Sequence, residues 1–297
     1  MPTPDFQFLT SPDWKDYELI DSGGGVKLER YGPYIFVRPE HQAVWRKSLP
    51  DEEWEKAHAV FQSSGEESGG HWQFRGQALQ SWKMTYKGLI FEAVTSNSRH
   101  LGVFPEQANH WDWMAELIRL SHHPIKLLNL FGYTGLATLA AAQAGAAVTH
   151  VDASKKANAW AKQNQALSKL SDRPIRWILD DAEKFVRREV RRGAQYDGLI
   201  LDPPKFGRGP EGQVWEFFEA LPNLLENCRL ILSPKPRFIV ITAYAIRASA
   251  LSVHYALEEM TSGLEGTQTT GELALVEKST GRLLPTAITT RWQTKEF

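Results

Sequence analysis

Beyond Lys126 the chain alternates short, mostly apolar runs with stretches of helical periodicity, and few folds accept that rhythm. Runs with so little polar surface must be buried on both sides, as the strands of a parallel sheet are when helices cover both faces. Strands are expected at 125–131, 147–152, 175–180, 196–202 and 237–243. The helices between them have readable ends. Leu136 to Ala144 stops at Gly145, a residue suited to the left-handed conformation of helix termini, and Ser154 can cap the helix that follows. Ala157, Trp160, Ala161 and Leu167 make that helix's inward stripe. A helix from Ala248 to Met260 precedes two alternating runs, Glu272 to Glu277 and Thr286 to Trp292, which read as a closing antiparallel pair.

Residues 1–120 follow a different pattern. They hold seven of the eleven tryptophans, Trp14, Trp45, Trp54, Trp72, Trp82, Trp111 and Trp113, most of them expected in a core. Tyr34 to Val37 and Trp82 to Tyr86 read as strands, Gly23 to Gly25 and Lys87-Gly88 as turns, and Ser63 to Gly70 as an exposed loop. A small β-rich domain at 1–120, with a possible part in substrate recognition, is therefore expected before a catalytic domain at 121–297.

Composition removes several classes. No apolar run approaches the roughly 20 residues of a membrane-spanning helix, so no membrane partner is expected. The first residues lack a basic head and an apolar core, so no secretory signal is expected and the expected location is cytoplasmic. One cysteine, Cys228, excludes intramolecular disulfides and multi-thiolate metal sites, and no metal is expected. With a net charge of -1 there is no global field for nucleic acid, so any RNA contact is local. The sequence is silent on oligomeric state.

The candidate chemistry sits at the carboxyl ends of the expected strands, where open parallel sheets bind ligands. The first strand runs into Asn129-Leu130-Phe131-Gly132-Tyr133-Thr134-Gly135, a turn that lets the backbone approach a ligand beside a helix N-terminus. Asp152, 20 residues beyond Gly132 and followed by Ala153, can accept both ribose hydroxyls of an adenosine. Asp181, followed by Ala182, can accept from an adenine amine or cap the next helix, whereas Asp180 reads as solvated. The fourth strand ends in Asp202-Pro203-Pro204-Lys205-Phe206, and two prolines hold the carboxylate on a rigid, extended path. Lys205 can hydrogen-bond a carbonyl, and Phe206 can stack on a flat base. The paired arginines Arg187, Arg188, Arg191 and Arg192 read as a solvated helix face, and His122-His123 as an exposed linker.

Five strand-helix units and a final hairpin describe an α/β class I methyltransferase fold: a Rossmann-like, mostly parallel seven-stranded sheet with a C-terminal antiparallel hairpin. Leu128 to Gly135, Asp181-Ala182 and Asp202 to Phe206 resemble the bacterial family that methylates large-subunit ribosomal RNA, which contains 5-methylcytosine and 7-methylguanine enzymes. Gly102-Val103-Phe104-Pro105-Glu106-Gln107 is similar to the segment before that family's cofactor domain, although Ala108 stands where members have arginine. The resemblance implies S-adenosylmethionine as cofactor, held by Asn129, Phe131, Gly132, Thr134, Gly135, Asp152, Ala153, Asp181, Ala182, Asp202 and Gln107. It implies RNA as substrate and Asp202, Pro203, Pro204, Lys205 and Phe206 as the catalytic segment. The 5-methylcytosine members carry a nucleophilic cysteine after the fifth strand. Here that stretch is Ile241-Thr242-Ala243-Tyr244-Ala245, and Cys228 reads as a small core residue, which favours a base nitrogen as acceptor. A nicotinamide enzyme would need a G-x-G-x-x-G that Leu130 interrupts. A non-RNA acceptor and a non-catalytic RNA-binding protein of the same fold remain open.

Overall fold

A computed structural model describes residues 4–11, 14–64 and 69–295. In chain order come β1 (Phe6–Thr10), β2 (Tyr17–Gly23), β3 (Val26–Tyr31), β4 (Tyr34–Pro39), α1 (Asp51–Trp54), β5 (Ala59–Ser63), β6 (Gly70–Phe74), β7 (Ser81–Tyr86) and β8 (Leu89–Val94). Then follow α2 (Ala108–Leu120), β9 (Lys126–Leu130), α3 (Leu136–Ala144), β10 (Ala147–Asp152), α4 (Lys155–Leu167), β11 (Ile175–Leu179) and α5 (Ala182–Arg191). The chain ends with β12 (Gly198–Leu201), β13 (Phe206–Arg208), β14 (Val214–Glu216), α6 (Phe217–Leu230), β15 (Phe238–Ala243), α7 (Ala250–Met260), β16 (Gly266–Val276) and β17 (Leu283–Thr294).

The larger of two compact units holds Asn109–Leu273, with the chain up to Leu9 and from Ala287 on. Its sheet has the order β1-β16-β17-β15-β12-β9-β10-β11, parallel from β15 to β11 and antiparallel at β15·β17. This is the expected class I methyltransferase sheet with an eighth strand, because β1 adds to the free edge of β16. Leu130, Val151, Ile178, Leu201 and Ile241 line the face packed by α5, α6 and α7, and Cys228 lies fully buried in the same apolar cluster. Burial raises the Cys228 thiol well above its usual range, so it is a neutral packing group.

The expected boundary at 120/121 falls at the end of α2, but the compact units divide at its first residue, between Ala108 and Asn109. Contacts decide this: Trp113 meets Phe238 edge-on and donates to Gln293, while His110 bonds the Thr289 hydroxyl. Asp180, expected in solvent, is instead buried and paired with Arg188 at 2.7 Å. The arginine helix is otherwise laced internally, Arg187 to Glu183 and Arg192 to Glu189. His122 and His123 are exposed.

The second unit, Thr10–Ala108 with Ala274–Thr286, contains the five-stranded sheet β2-β3-β4-β5-β6 and the hairpin β7-β8. The expected strands and both glycine turns are present, while residues 65–68 of the expected 63–70 loop lie outside the described residues. Most of its tryptophans pack: Trp14 stacks on Tyr86, and Trp82 stacks on Phe36. Inside this unit the Glu29 carboxylate takes hydrogen bonds from Tyr17 (2.8 Å) and from Arg38 Nε (2.7 Å) and Nη2 (2.8 Å). Burial pushes the Glu29 carboxyl up, but Arg38 and Lys27 outweigh it and hold the value at about 2. A depressed carboxyl stabilises the fold at pH values above its unfolded titration and loses that contribution as pH falls toward the folded value. The unfolding temperature of this unit is therefore expected to fall between about pH 4.5 and 2. Glu29→Gln should show a lower temperature at pH 7 and a flatter acid limb by calorimetry; an unchanged acid limb would rule out this network as its cause.

Candidate active site

Register places the candidate residues. Leu130 on β9 stands opposite Val151 on β10 and Leu201 on β12, so Phe131, Asp152 and Asp202 come next on three adjacent strand ends. Asp202 N–H donates to Leu130 O at 3.4 Å, and Gly132 N–H to Val151 O at 3.1 Å.

The turn after β9 is tightly constrained. Phe131 (φ 58°) and Tyr133 (φ 49°) are left-handed, a conformation that costs non-glycine residues of the order of 1–3 kcal/mol each and persists only where the surroundings enforce it. Asp152 enforces it in part: its carboxylate accepts from Tyr133 N–H at 2.8 Å and from Ser154 N–H at 2.7 Å. Burial raises the Asp152 carboxyl, while the Ser154 and Tyr133 N–H groups oppose that rise. Asn164 donates to Thr134 O and Asn158 to Asp152 O, both at 3.0 Å, so α4 pins both turns from behind. Ser154 caps α4 as expected, accepting from Ala157 N–H.

Under the turn lies a buried polar chain absent from the sequence reading. Asn129 Nδ2 donates to Thr138 Oγ1 at 2.9 Å, and Thr138 Oγ1 lies 2.9 Å from His150 Nδ1. The Thr138 hydroxyl thus links the Asn129 amide to the imidazole, and the tautomer of the ring sets which of Oγ1 and Nδ1 donates. Burial keeps the ring neutral, lowering its pKa to about 3. A Cβ on Gly132 would sit 2.5 Å from His150 Nδ1, and one on Gly135 2.8 Å from Ala161 Cβ. Gly132 is thus a glycine because the turn rests on the imidazole, while Gly135 (φ 82°) also starts α3 without a side-chain cap. The first-turn N–H groups of α3 are a natural seat for an anion.

The other expected residues are distributed unequally. Asn129 and Ala182 have their side chains inside the protein, Asn129 on Thr138 and Ala182 in the apolar cluster. Thr134 is buried and Ala153 half-buried. Asp181 caps α5, accepting from Lys184 N–H at 2.9 Å, so the capping alternative is realised. Gln107 lies in the other compact unit, at the end of the 3-10 turn Pro105–Gln107. Asp202 is half-buried, Pro203 buried, Pro204 and Lys205 exposed, and Phe206 is 49% exposed. The hairpin β13–β14 after them was not anticipated, because three-residue strands carry too little periodicity to read. His150 could have been noticed as a polar residue within an apolar strand, and Asn158 and Asn164 as polar positions on a helix's buried face.

No family model matches the sequence. A solved SAM-dependent methyltransferase from Agrobacterium tumefaciens shares 48% sequence identity, with 99% of this chain and 97% of that one covered, at a TM-score of 0.94. The chain belongs to the S-adenosylmethionine-dependent methyltransferases. Its cofactor is S-adenosylmethionine. Among curated relatives of the methyltransferase, ribosomal RNA large subunit methyltransferase K/L of Hahella chejuensis is 28% identical over 246 residues, 77% of this chain and 31% of that protein. The K/L enzyme of a Shewanella species is 43% identical over 117 residues, 38% of this chain and 16% of its own length. The methyltransferase thus spans about a third or less of these relatives. None of its helices, among the described residues, is long and apolar enough to cross a membrane.

The fit between Gly132 and His150 is testable by urea denaturation. Gly132→Ala should cost about 1–3 kcal/mol, the usual penalty of overpacking. In a His150→Ala background that cost should shrink, because the two residues touch; an equal cost in both backgrounds would show that the ring is not what excludes the methyl group.

Proposed function

We propose that this methyltransferase acts on RNA and transfers its methyl group to a base nitrogen. Three things support the reading: the names of the curated relatives, the absence of a cysteine in 241–249, and above all the position of Asp202. That carboxylate follows the strand next to the glycine turn and precedes two residues that cannot donate a backbone hydrogen bond.

The donor set suits the cofactor. Asp152 would take the ribose hydroxyls on its remaining lone pairs, and Asp181, whose Oδ1 caps α5, would meet the adenine end through its other oxygen. The turn 131–135 and the uncapped start of α3 would seat the amino-acid carboxylate. Asn129 and His150 would act from beneath, shaping the turn. Bound there, S-adenosylmethionine supplies an electrophilic methyl group on a good leaving group. What remains for the chain is to position the acceptor, exclude water and handle a proton. Asp202 would accept a hydrogen bond from an N–H of the acceptor base, orient its lone pair and take up the proton. Phe206, half-exposed on the adjoining hairpin, would stack on the base, and Lys205 would reach its carbonyl. The N-terminal unit would contribute substrate recognition, and the location would be cytoplasmic.

Transfer of labelled methyl groups to deproteinised large-subunit ribosomal RNA, followed by nucleoside mass spectrometry, tests the substrate; label only in protein or small molecules would refute it. Within that assay, Asp202→Asn should slow transfer by roughly 10²- to 10³-fold, the loss seen when one preorganised polar group is removed. Asp152→Ala should instead weaken cofactor binding by about 1.5–3 kcal/mol in calorimetry, as charge-assisted bonds are lost. An Asp202→Asn enzyme that loses cofactor but keeps its rate would reverse the two assignments.

A further inference from the structure

Consecutive prolines present a mechanical problem. Pro203 and Pro204 have no N–H, so beyond the bond from Asp202 N–H to Leu130 O the backbone of the two prolines can be held only through carbonyl groups. Two donors reach them: the Trp215 indole Nε1–H gives a 2.6 Å bond to Pro204 O, and Phe217 N–H a 3.1 Å bond to Lys205 O. Both come from the segment that begins with β14.

Hairpin register orients Trp215. Gly207 stands opposite it, and Phe206 and Arg208 stand opposite Glu216 and Val214. Directly opposed residues share a face of an antiparallel pair, so Phe206, Arg208, Val214 and Glu216 turn outward and are exposed, while Trp215 turns inward and is 4% exposed. Gly207 adds no side chain to that inner face. A Cβ there would lie 3.3 Å from Pro204 Cγ and 3.7 Å from Trp215 Cβ, so the hairpin closes directly over the proline. On its other side the indole meets the Phe131 ring, with centroids 5.0 Å apart and planes at 59°. Phe131 is the left-handed residue that opens the glycine turn.

One rigid, buried side chain thus touches both halves of the cleft. We propose that Trp215 is a positioning residue: it fixes the acceptor-side stretch Asp202–Phe206 relative to the cofactor-side turn at Phe131, so that occupation of the turn is felt at Pro204. This rests on the reading of Asp202–Phe206 as the acceptor side. The indole contributes a donor where the prolines provide none and a flat surface that keeps the Phe131 ring in place. Phenylalanine at 215 would retain the ring contact and lose the bond.

The test follows the indole itself. In protein labelled with ¹⁵N-tryptophan, the side-chain N–H signal missing from Trp215→Phe identifies Trp215. It should exchange slowly with solvent and shift when S-adenosylhomocysteine is added. In Trp215→Phe, S-adenosylhomocysteine affinity should stay within about threefold, while single-turnover transfer to the deproteinised RNA falls by about 10- to 100-fold, the scale of a misplacement near 1 Å. Trp215→His, which keeps a ring N–H, should recover part of the rate. A packing residue alone would lower thermal stability without this split between affinity and rate. An indole signal that ignores S-adenosylhomocysteine, or a Trp215→Phe enzyme that transfers at the wild-type rate, would overturn the proposal. If wild-type protein does not methylate the RNA, the RNA reading falls, and the indole signal still decides the role of Trp215.

Discussion

The parallel pairing of β9 with β10 and β12 is the constraint on which the rest of the candidate site depends. Because Leu130, Val151 and Leu201 share one row of the sheet, the next residues on each strand emerge together at its carboxyl edge. A one-residue slip in either pairing would exchange buried and outward side chains along the whole strand and move Asp152 or Asp202 to the opposite face. The apolar cluster beneath Leu130, Val151 and Leu201 makes such a slip costly. Packing far from the cleft thereby sets the spacing of its carboxylates.

On the other face, the same rows align Ile200, Asn129, His150 and Trp177. Polar residues in this layer are tolerated because Thr138 from α3 links Asn129 to His150. The resulting platform supports Gly132 at a distance no other residue allows. Asp152 then holds the turn from the side through Tyr133 N–H, and Asn164 holds it at Thr134 O. Two left-handed non-glycine residues persist here because three neighbouring side chains, His150, Asp152 and Asn164, determine the path of a five-residue turn.

The acceptor-side loop is held differently. Its prolines forgo backbone donation, and its position depends on donors from the next hairpin and helix. In the N-terminal unit a buried charge solves a similar problem: Glu29, met by Tyr17 and Arg38, joins β2, β3 and β4 through side chains in a region rich in aromatic packing. A buried carboxylate is affordable there because each of its oxygens accepts a hydrogen bond from Arg38.

The alternation of apolar runs and helical periods was enough to place the five parallel strands, the closing hairpin and the ends of α3, because burial on both faces and helix-end chemistry are local demands that composition records. The placement of the glycine turn, Asp152 and Asp202 at strand ends was legible for the same reason, since each apolar run stops where they begin. Other features depended on partners outside the element that carries them. Asp180 reads as exposed until Arg188 is folded against it, Trp113 belongs with Phe238 and Gln293 across more than a hundred residues, and the tip of the last hairpin joins the N-terminal unit through Glu277 and Ser22. The contact of His150 with Gly132, and those of Trp215 with Pro204 and Phe131, likewise have no local signature. Only tertiary structure could assign them, because a contact between side chains of distant segments leaves no periodicity in either one.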